Sequence, residues 1–453
     1  MSANYQHARS YLDRLLRDHS LEELRQRLAP SFDNPSPKVP GGCRPNMENL
    51  QQRWQLLRVS PGSRESLADS ETLAQLERYR NHIENFIGSV KLPVGLAGPV
   101  RVNGLFAHGD YYIPLASTEA ALVASYHRGA QLISEAGGCT AMLLNEGVNR
   151  APGFSFRNLR QVGLFVAWSL SEVETFQRVA DATTRHGKLV DMSVVVEGNH
   201  VYLMFEFTTG DAAGQNMVTI ATEAICAHIK ANSPVRPEYS FIEANLSGDK
   251  KASAQSFLKV RGRKVSAEVI LPPDLVEKRL RTTVRQVADY WRMGAVGSVL
   301  SGAIGAQGHY ANGLAALYIA CGQDVACVAE SATGVTRFEL TAKGDLYAAV
   351  TLPNLMVGTV GGGTTLPSQS ACLEIMDLAG PGKANALAEV CAALCLAGEL
   401  SITGAICAQE FARAHQCLAR GNRPRSEAGE SIRGCRRKRA ESNEGHSDSE
   451  SAI

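Results

Sequence analysis

Asp249-Lys250-Lys251, two adjacent lysines behind an aspartate, is the stretch of this chain best able to do chemistry. It stands between an apolar run (Tyr239, Phe241, Ile242) and amphipathic text (Ala254, Phe257, Leu258), a pattern that predicts a strand handing over to a helix. Backbone N–H groups opening a helix, together with two ammonium groups, would hold an oxyanion or an anionic substrate. Standing alone, such a doublet is more often a solvated surface pair. Its company decides between the readings. Ser117-Thr118-Glu119 precedes two turns of apolar residues, so it predicts a capped helix with an acid in its first turn. His309 and Asn312 are three apart, on one helical face, and Asp324 follows a long apolar helix at its polar end.

Two stretches are built for close backbone approach. Gly210-Asp211-Ala212-Ala213-Gly214-Gln215-Asn216-Met217 puts small residues at the start of a predicted helix. Gly358-Thr359-Val360-Gly361-Gly362-Gly363-Thr364 carries three consecutive glycines in an apolar frame, costly to order unless a ligand or another backbone comes near. There is no G-x-G-x-x-G, so a Rossmann fold is not supported.

The elements that must position these groups fall into blocks. At 453 residues the chain predicts two to three domains. Residues 1–83 read as a helical N-terminal domain, with Tyr11, Leu12, Leu15, Leu16, Leu21, Leu24 and Leu28 at helical spacing, a Pro/Gly-rich break, and helix again over 67–86. Residues 92–100 are apolar yet turn-rich, predicted to be buried at a subunit contact. From 152 to 240 the period changes: strands are expected over 162–169, 189–197 and 200–208, helices over 171–186 and 212–231, and a last strand near 239–244. That order predicts a ferredoxin-like unit inserted into a larger, helix-rich domain (84–151 and 241–420), an α+β fold. Strands over 336–341 and 346–352 make a hairpin, and 421–453, without apolar periodicity, is expected to be disordered.

Forty-six Lys and Arg against 45 Asp and Glu give no reason to expect nucleic acid or an acidic membrane. Eleven cysteines without a C-x-x-C pair read as buried thiols of a reducing cytoplasm, neither disulfides nor a metal site. The apolar run 388–408 is interrupted by Glu389 and Glu399, which favours a core helix over a membrane span.

Taken in order, E-N-F-I-G at 84–88, P-V-G-L-A-G-P at 93–99, S-T-E at 117–119, G-D-A-A-G-Q-N-M at 210–217, D-K-K at 249–251, C-G-Q-D at 321–324, G-T-V-G-G-G-T at 358–364 and a terminal helix with His415 resemble the catalytic portion of 3-hydroxy-3-methylglutaryl-CoA (HMG-CoA) reductases. The resemblance covers about residues 84–420. It implies a four-electron reduction of an acyl-CoA thioester to mevalonate, with two NADPH and release of CoA. Lys250 resembles the cation that meets the oxyanion, Glu119 the proton donor, Asp324 the carboxylate linking them, and His415 the acid that protonates the departing thiolate. Ser125, Arg150, Asn245, Lys251, His309 and Asn312 match substrate positions. Asp211, Ala212, Gly214, Gln215 and Asn216, with Gly358, Thr359 and Gly361, match the dinucleotide side; Thr184 and Arg185 match the pair expected at the 2′-phosphate, favouring NADPH. No metal is implied. The resemblance further implies a cytoplasmic homodimer or homotetramer with sites between subunits, Glu119, Lys250 and Asp324 coming from one protomer and the cofactor domain from the other.

Two positions depart from the family pattern. Met293 stands where the family places a lysine, and Glu243 where it places a serine, so a carboxylate is expected to repel an acidic substrate unless Arg292 or another cation compensates. These leave open a reductase of a related acyl-CoA, or a CoA-ester-binding homologue with lost catalysis.

Overall fold

The computed structural model describes residues 4–31, 36–42 and 44–410. The chain divides into two compact units, Met1–Val90 and Lys91–Ile453.

The first unit contains α1 (Tyr5–Asp18), α2 (Leu21–Leu28), α3 (Met47–Leu56), α4 (Pro61–Leu67) and α5 (Ser70–Ala74). Ser20 and Glu23 cap the start of α2 reciprocally. Its small core is Leu50, Trp54 and Phe86. Arg53, 2% exposed, donates to the carbonyls of Pro40 and Phe86, and the Trp54 indole to that of Ile87. The single helix expected over 67–86 is instead broken into short pieces. Asp69 accepts from Thr72 N and starts a new helix, while Asn81 and Asn85 take left-handed φ values of 66° and 51°.

The second unit opens with β1 (Val94–Gly104), β2 (His108–Ala116), α6 (Leu122–Glu135), β3 (Cys139–Arg150) and β4 (Gly153–Ser155). It continues through α7 (Leu159–Ser171), α8 (Val173–Asp181), β5 (Lys188–Glu197), β6 (His200–Thr208), α9 (Gln215–Asn232), β7 (Tyr239–Phe241) and β8 (Gly262–Leu271). The last part is α10 (Pro273–Leu280), α11 (Val284–Ser301), β9 (Gly305–Ala306), α12 (Tyr310–Ala320), α13 (Val328–Ser331), β10 (Gly334–Leu340), β11 (Leu346–Leu355), α14 (Pro367–Ile375) and α15 (Ala384–Cys407).

β3 is the hinge of the sheet system. Its first part pairs with β8 and β1, and β8 continues through β11 and β10 to β9. Its last three residues, Val148–Arg150, pair instead with β6 in a second sheet ordered β7-β4-β6-β5. With α7 and α8 between β4 and β5, and α9 between β6 and β7, this is the β-α-β-β-α-β order of a ferredoxin-like unit. Its first strand is not 162–169, which forms α7. Asn158 accepts from Gln161 N as the cap, and Val162, Phe165 and Ser169 bury one helical stripe. A short apolar run does not distinguish the two periods by itself, and the cap was the overlooked signal. The strand that opens the unit is the three-residue β4.

α15 is the core of the unit. Twenty of its 24 residues are buried, so its length and apolarity serve packing rather than a membrane. α6 crosses it so closely that a Cβ on Gly129 would lie 1.8 Å from the Ala397 carbonyl oxygen. Gly398 and Gly313 both make room for the Tyr126 ring. The two glutamates that interrupt the helix are buried receivers of backbone N–H groups. Glu389 accepts from Leu105, Phe106, Ala107 and Leu143, and Glu399 from Gly308 and His309.

Candidate active site

Lys250 does not open a helix. After β7 the chain runs irregularly to Ser253, with Asn245, Gly248 and Lys250 in left-handed conformation at φ 62°, 73° and 56°. The lysine therefore owes its position to side-chain bonds rather than to a helix dipole. Its Nζ donates to Asp324 Oδ2 at 2.9 Å, and this bond raises its pKa above the usual lysine value against a smaller opposing effect of burial. Asp324 is held in turn: its carboxylate accepts from Ala326 N at 3.0 Å, just beyond α12. Lys251 is exposed and donates to the Asp249 carbonyl at 2.9 Å.

Behind Lys250 lies a dense polar network. Asp249 accepts from Arg150 at 2.9 Å and Arg261 at 2.5 Å; burial pushes its carboxyl up, but the two guanidinium groups outweigh this and hold it below the usual range. Arg150 also reaches Glu243 at 3.4 Å and the Gln215 side chain at 3.2 Å. Ser247 donates to Glu243 at 2.9 Å. The compensating cation for Glu243 is thus Arg150, not Arg292, which pairs with Asp289 on α11. Arg150, expected at the substrate, is 7% exposed and committed to this network.

Glu119 lies apart from Lys250. It stands in the turn between β2 and α6, not in the first turn of a helix, because Ala121 takes a left-handed φ of 74° and α6 starts at Leu122. Its carboxylate accepts from Asn312 Nδ2 at 3.1 and 3.3 Å, at the start of α12. Asp324 lies past the other end of α12, whose 11 residues span roughly 16 Å at about 1.5 Å each. Among the described residues Glu119 forms no ion pair with Lys250: its carboxylate is met by Asn312 at the start of α12, and Lys250 meets Asp324 past the end of that helix. His309 is the N-cap residue of α12 and faces Tyr126, their rings 5.1 Å apart. Ser125 shares a 2.9 Å hydroxyl contact with Ser401 of α15, which also receives Arg128. Asn245 is exposed on the Lys250 loop, and His415 lies outside the described residues.

The two small-residue loops meet. Thr359 N donates to the Asp211 carbonyl at 2.8 Å, and a Cβ on Gly358 would collide with the Ala212–Ala213 backbone at 2.6–2.9 Å. Gly214, at φ 75°, turns the chain into α9, whose first residues are Gln215 and Asn216. Thr184 touches Met217 of the first turn of α9 at 3.0 Å, which brings the exposed Arg185 turn to the same helix end. Gly361, also at positive φ, has open space where a Cβ would stand. The Asp211 carboxylate accepts from Gly382 N and Ala384 N, at the start of α15.

Arg261 and Arg263 were not singled out from the sequence, yet they hold both halves of this region. Arg263, buried, reaches Asn385, the Val357 carbonyl and the Gly210 carbonyl, pinning the two loops to α15. Arg-Gly-Arg at the mouth of a strand, with both charges in the core-facing register, is the available signal.

An α+β fold that presents a lysine–carboxylate pair, tied through Arg261 to the glycine start of α9, offers a cation and a helix N-terminus to an anionic substrate or an oxyanion. The family profile described as "Hydroxymethylglutaryl-coenzyme A reductase" matches residues 49–420. The chain is 45% identical to the 3-hydroxy-3-methylglutaryl-coenzyme A reductase of Pyrococcus horikoshii over 353 residues, covering 76% of this chain and 85% of that one. Against the Haloferax volcanii enzyme of the same name it is 41% identical over 374 residues, covering 79% and 92%. A class II HMG-CoA reductase structure from Streptococcus pneumoniae, bound to NADPH, shares the fold at a TM-score of 0.58 and 18% identity, covering 79% of this chain and 96% of that one. The chain belongs to the HMG-CoA reductase family.

Proposed function

We propose that this chain reduces (S)-HMG-CoA to mevalonate and CoA with two NADPH, in the mevalonate route to isoprenoids. The observation that carries the reading is the Lys250–Asp324 pair: an ammonium kept protonated, held at 2.9 Å, on a loop tied to the body by buried arginines. Bound NADPH supplies hydride. As the thioester carbon becomes tetrahedral, Lys250 meets the negative charge on its oxygen, and as the C–S bond breaks the thiolate takes a proton from His415. In the second reduction the aldehyde oxygen takes its proton from Glu119. The close approach of Gly358 to Ala212–Ala213, the αL turn at Gly214 and the Thr184–Met217 contact fit a dinucleotide laid across the start of α9, with Arg185 toward a 2′-phosphate.

The working unit in this reading is a homodimer or a larger homo-oligomer, with Glu119 and Asn312 of one copy completing the Lys250–Asp324 site of another. Two observations support it. The Glu119–Asn312 pair sits at the start of α12 and the Lys250–Asp324 pair past its end. The second half of α11 buries none of its residues, leaving Met293, Val296, Val299 and Leu300 between 59% and 83% exposed. The buried free thiols of the core fit a reducing cytoplasm.

NADPH oxidation by the purified full chain with (S)-HMG-CoA tests the reading, with NADH and other acyl-CoAs run in parallel. Two NADPH consumed per CoA released, a preference over NADH that R185A removes, and loss of turnover in K250A are expected. Turnover of another acyl-CoA in place of HMG-CoA would transfer the assignment to that substrate, and CoA-ester binding without turnover would make the chain a binding homologue.

A further inference from the structure

We propose that Arg261 is a positioning residue for the reduction assigned above, on which this inference rests: its guanidinium sets the Lys250 loop against the Asp324 segment and ties both to the first residue of α9. Arg261 is 3% exposed, and its donors reach four separate stretches of chain. Nε donates to Glu330 at 2.6 Å and Nη1 to the Asn149 carbonyl at 2.8 Å. Nη2 donates to Gln215 Oε1 at 2.8 Å and to Asp249 Oδ1 at 2.5 Å.

Each of these partners leads to a part of the site. Asp249 precedes Lys250, Glu330 lies six residues beyond Asp324 on α13, Gln215 is the first residue of α9, and Asn149 is the neighbour of Arg150 on β3. The Lys250 loop has no helix of its own between β7 and the turn at Ala254, and the Asp249 carboxylate, held by Arg150 and Arg261, anchors it to the interior next to Lys250. Gly262 permits the arrangement: at φ 92° it brings Arg261 under the loop, and a Cβ there would meet the Leu355 carbonyl at 2.3 Å. A planar fork of five donors can hold this set, whereas a lysine can serve only part of it. The plainer role for Arg261 is to neutralise Glu330, whose carboxyl burial pushes up while Arg261 opposes the shift. The two roles separate experimentally.

The variants are R261Q/E330Q, which removes the buried charges together, and R261K, which keeps a cation opposite Glu330. Thermal melting of the full chain checks that each folds. The first readout is kcat, KM and the pH profile of NADPH oxidation with HMG-CoA. The second needs no turnover: the titration of the Lys250 ammonium by ¹⁵N NMR, its signal assigned by its loss in K250A. Lys250 is faced by Asp324, by Cys327 of the following turn and by Asp249 of its own loop, and all three favour its charged form.

In folded variants kcat falls on the order of 100-fold, as for a catalytic group displaced by about an ångström, with KM little changed. The alkaline limb and the Lys250 titration both move to lower pH as the Asp324 contact loosens. Wild-type kcat and an unmoved Lys250 titration in R261Q/E330Q would overturn the proposal and leave Arg261 as the counter-ion of Glu330. A wild-type protein without HMG-CoA turnover would defeat the functional reading instead, and the NMR titration would still decide the positioning role.

Discussion

Lys250 and Asp324 interact at a site that is partly open to solvent, their side chains 45% and 40% exposed. The hydrogen bond raises the lysine pKa, so the stabilising part of the pair is complete below the unfolded lysine value and is lost as pH rises through the folded one. D324N should therefore move the alkaline limb of kcat to lower pH, read from a pH–rate profile, while changing stability by no more than about 1 kcal/mol, as for exposed pairs. K250A should lower kcat by roughly 100- to 1000-fold or more through the lost oxyanion contact, measured in the same assay. Glu243 has the compensating cation that the sequence left unnamed: its carboxylate is bonded to Arg150 and Ser247.

At the scale of elements, α15 organises the molecule through the two residues that least suit it. Glu389 receives four backbone N–H groups from the β1–β2 turn and β3, and Glu399 receives two beside His309 together with the Thr336 hydroxyl. E389A would strand these donors at about 1–3 kcal/mol for each left without water, so its melting temperature should fall well below that of a surface variant such as E339A. E399A should show the same loss and also raise KM for substrate, since the segment it orders carries His309 and Asn312. G129A tests the helix crossing: with Ala397 backbone in the way, overpacking should cost about 1–3 kcal/mol or more in denaturant melts. The apolar periodicity announced a core helix here, and the glutamates argued rightly against a membrane span. That they serve as backbone receivers was not legible, because their partners lie more than 240 residues away in sequence or across the α12 loop.

For the whole molecule, the exposed half of α11 and the division of the site across α12 lead to one expectation about assembly. L300E should lower the association state in analytical ultracentrifugation and lower activity with it, because a charge is then forced into an apolar contact. Mixing inactive E119A with inactive K250A after reversible dissociation should restore about a quarter of wild-type activity if the two residues come from different copies of a two-fold dimer. If both came from one copy, every site in the mixture would carry a lesion and no activity would return.

The linear text by itself determined what depends on local period and residue type. The alternation of β5, β6, β10 and β11, the apolar length of α15, the glycine start of α9 and the collinear motifs were all readable there, because each is set by neighbours a few residues away. α7 was misread where a short apolar run fits both periods, and the Lys250 junction was misread because left-handed φ at Asn245, Gly248 and Lys250 leaves no periodic trace. Which charges meet is set by contacts between distant parts of the chain. The tertiary structure put Arg150 and Arg261 behind Asp249, turned Asp211 to the start of α15, and set Glu119 and Lys250 at different ends of α12. Hydrogen bonds and ion pairs act over a few ångströms in space, and the strand crossings at β3 and β8 choose which distant residues come within that reach.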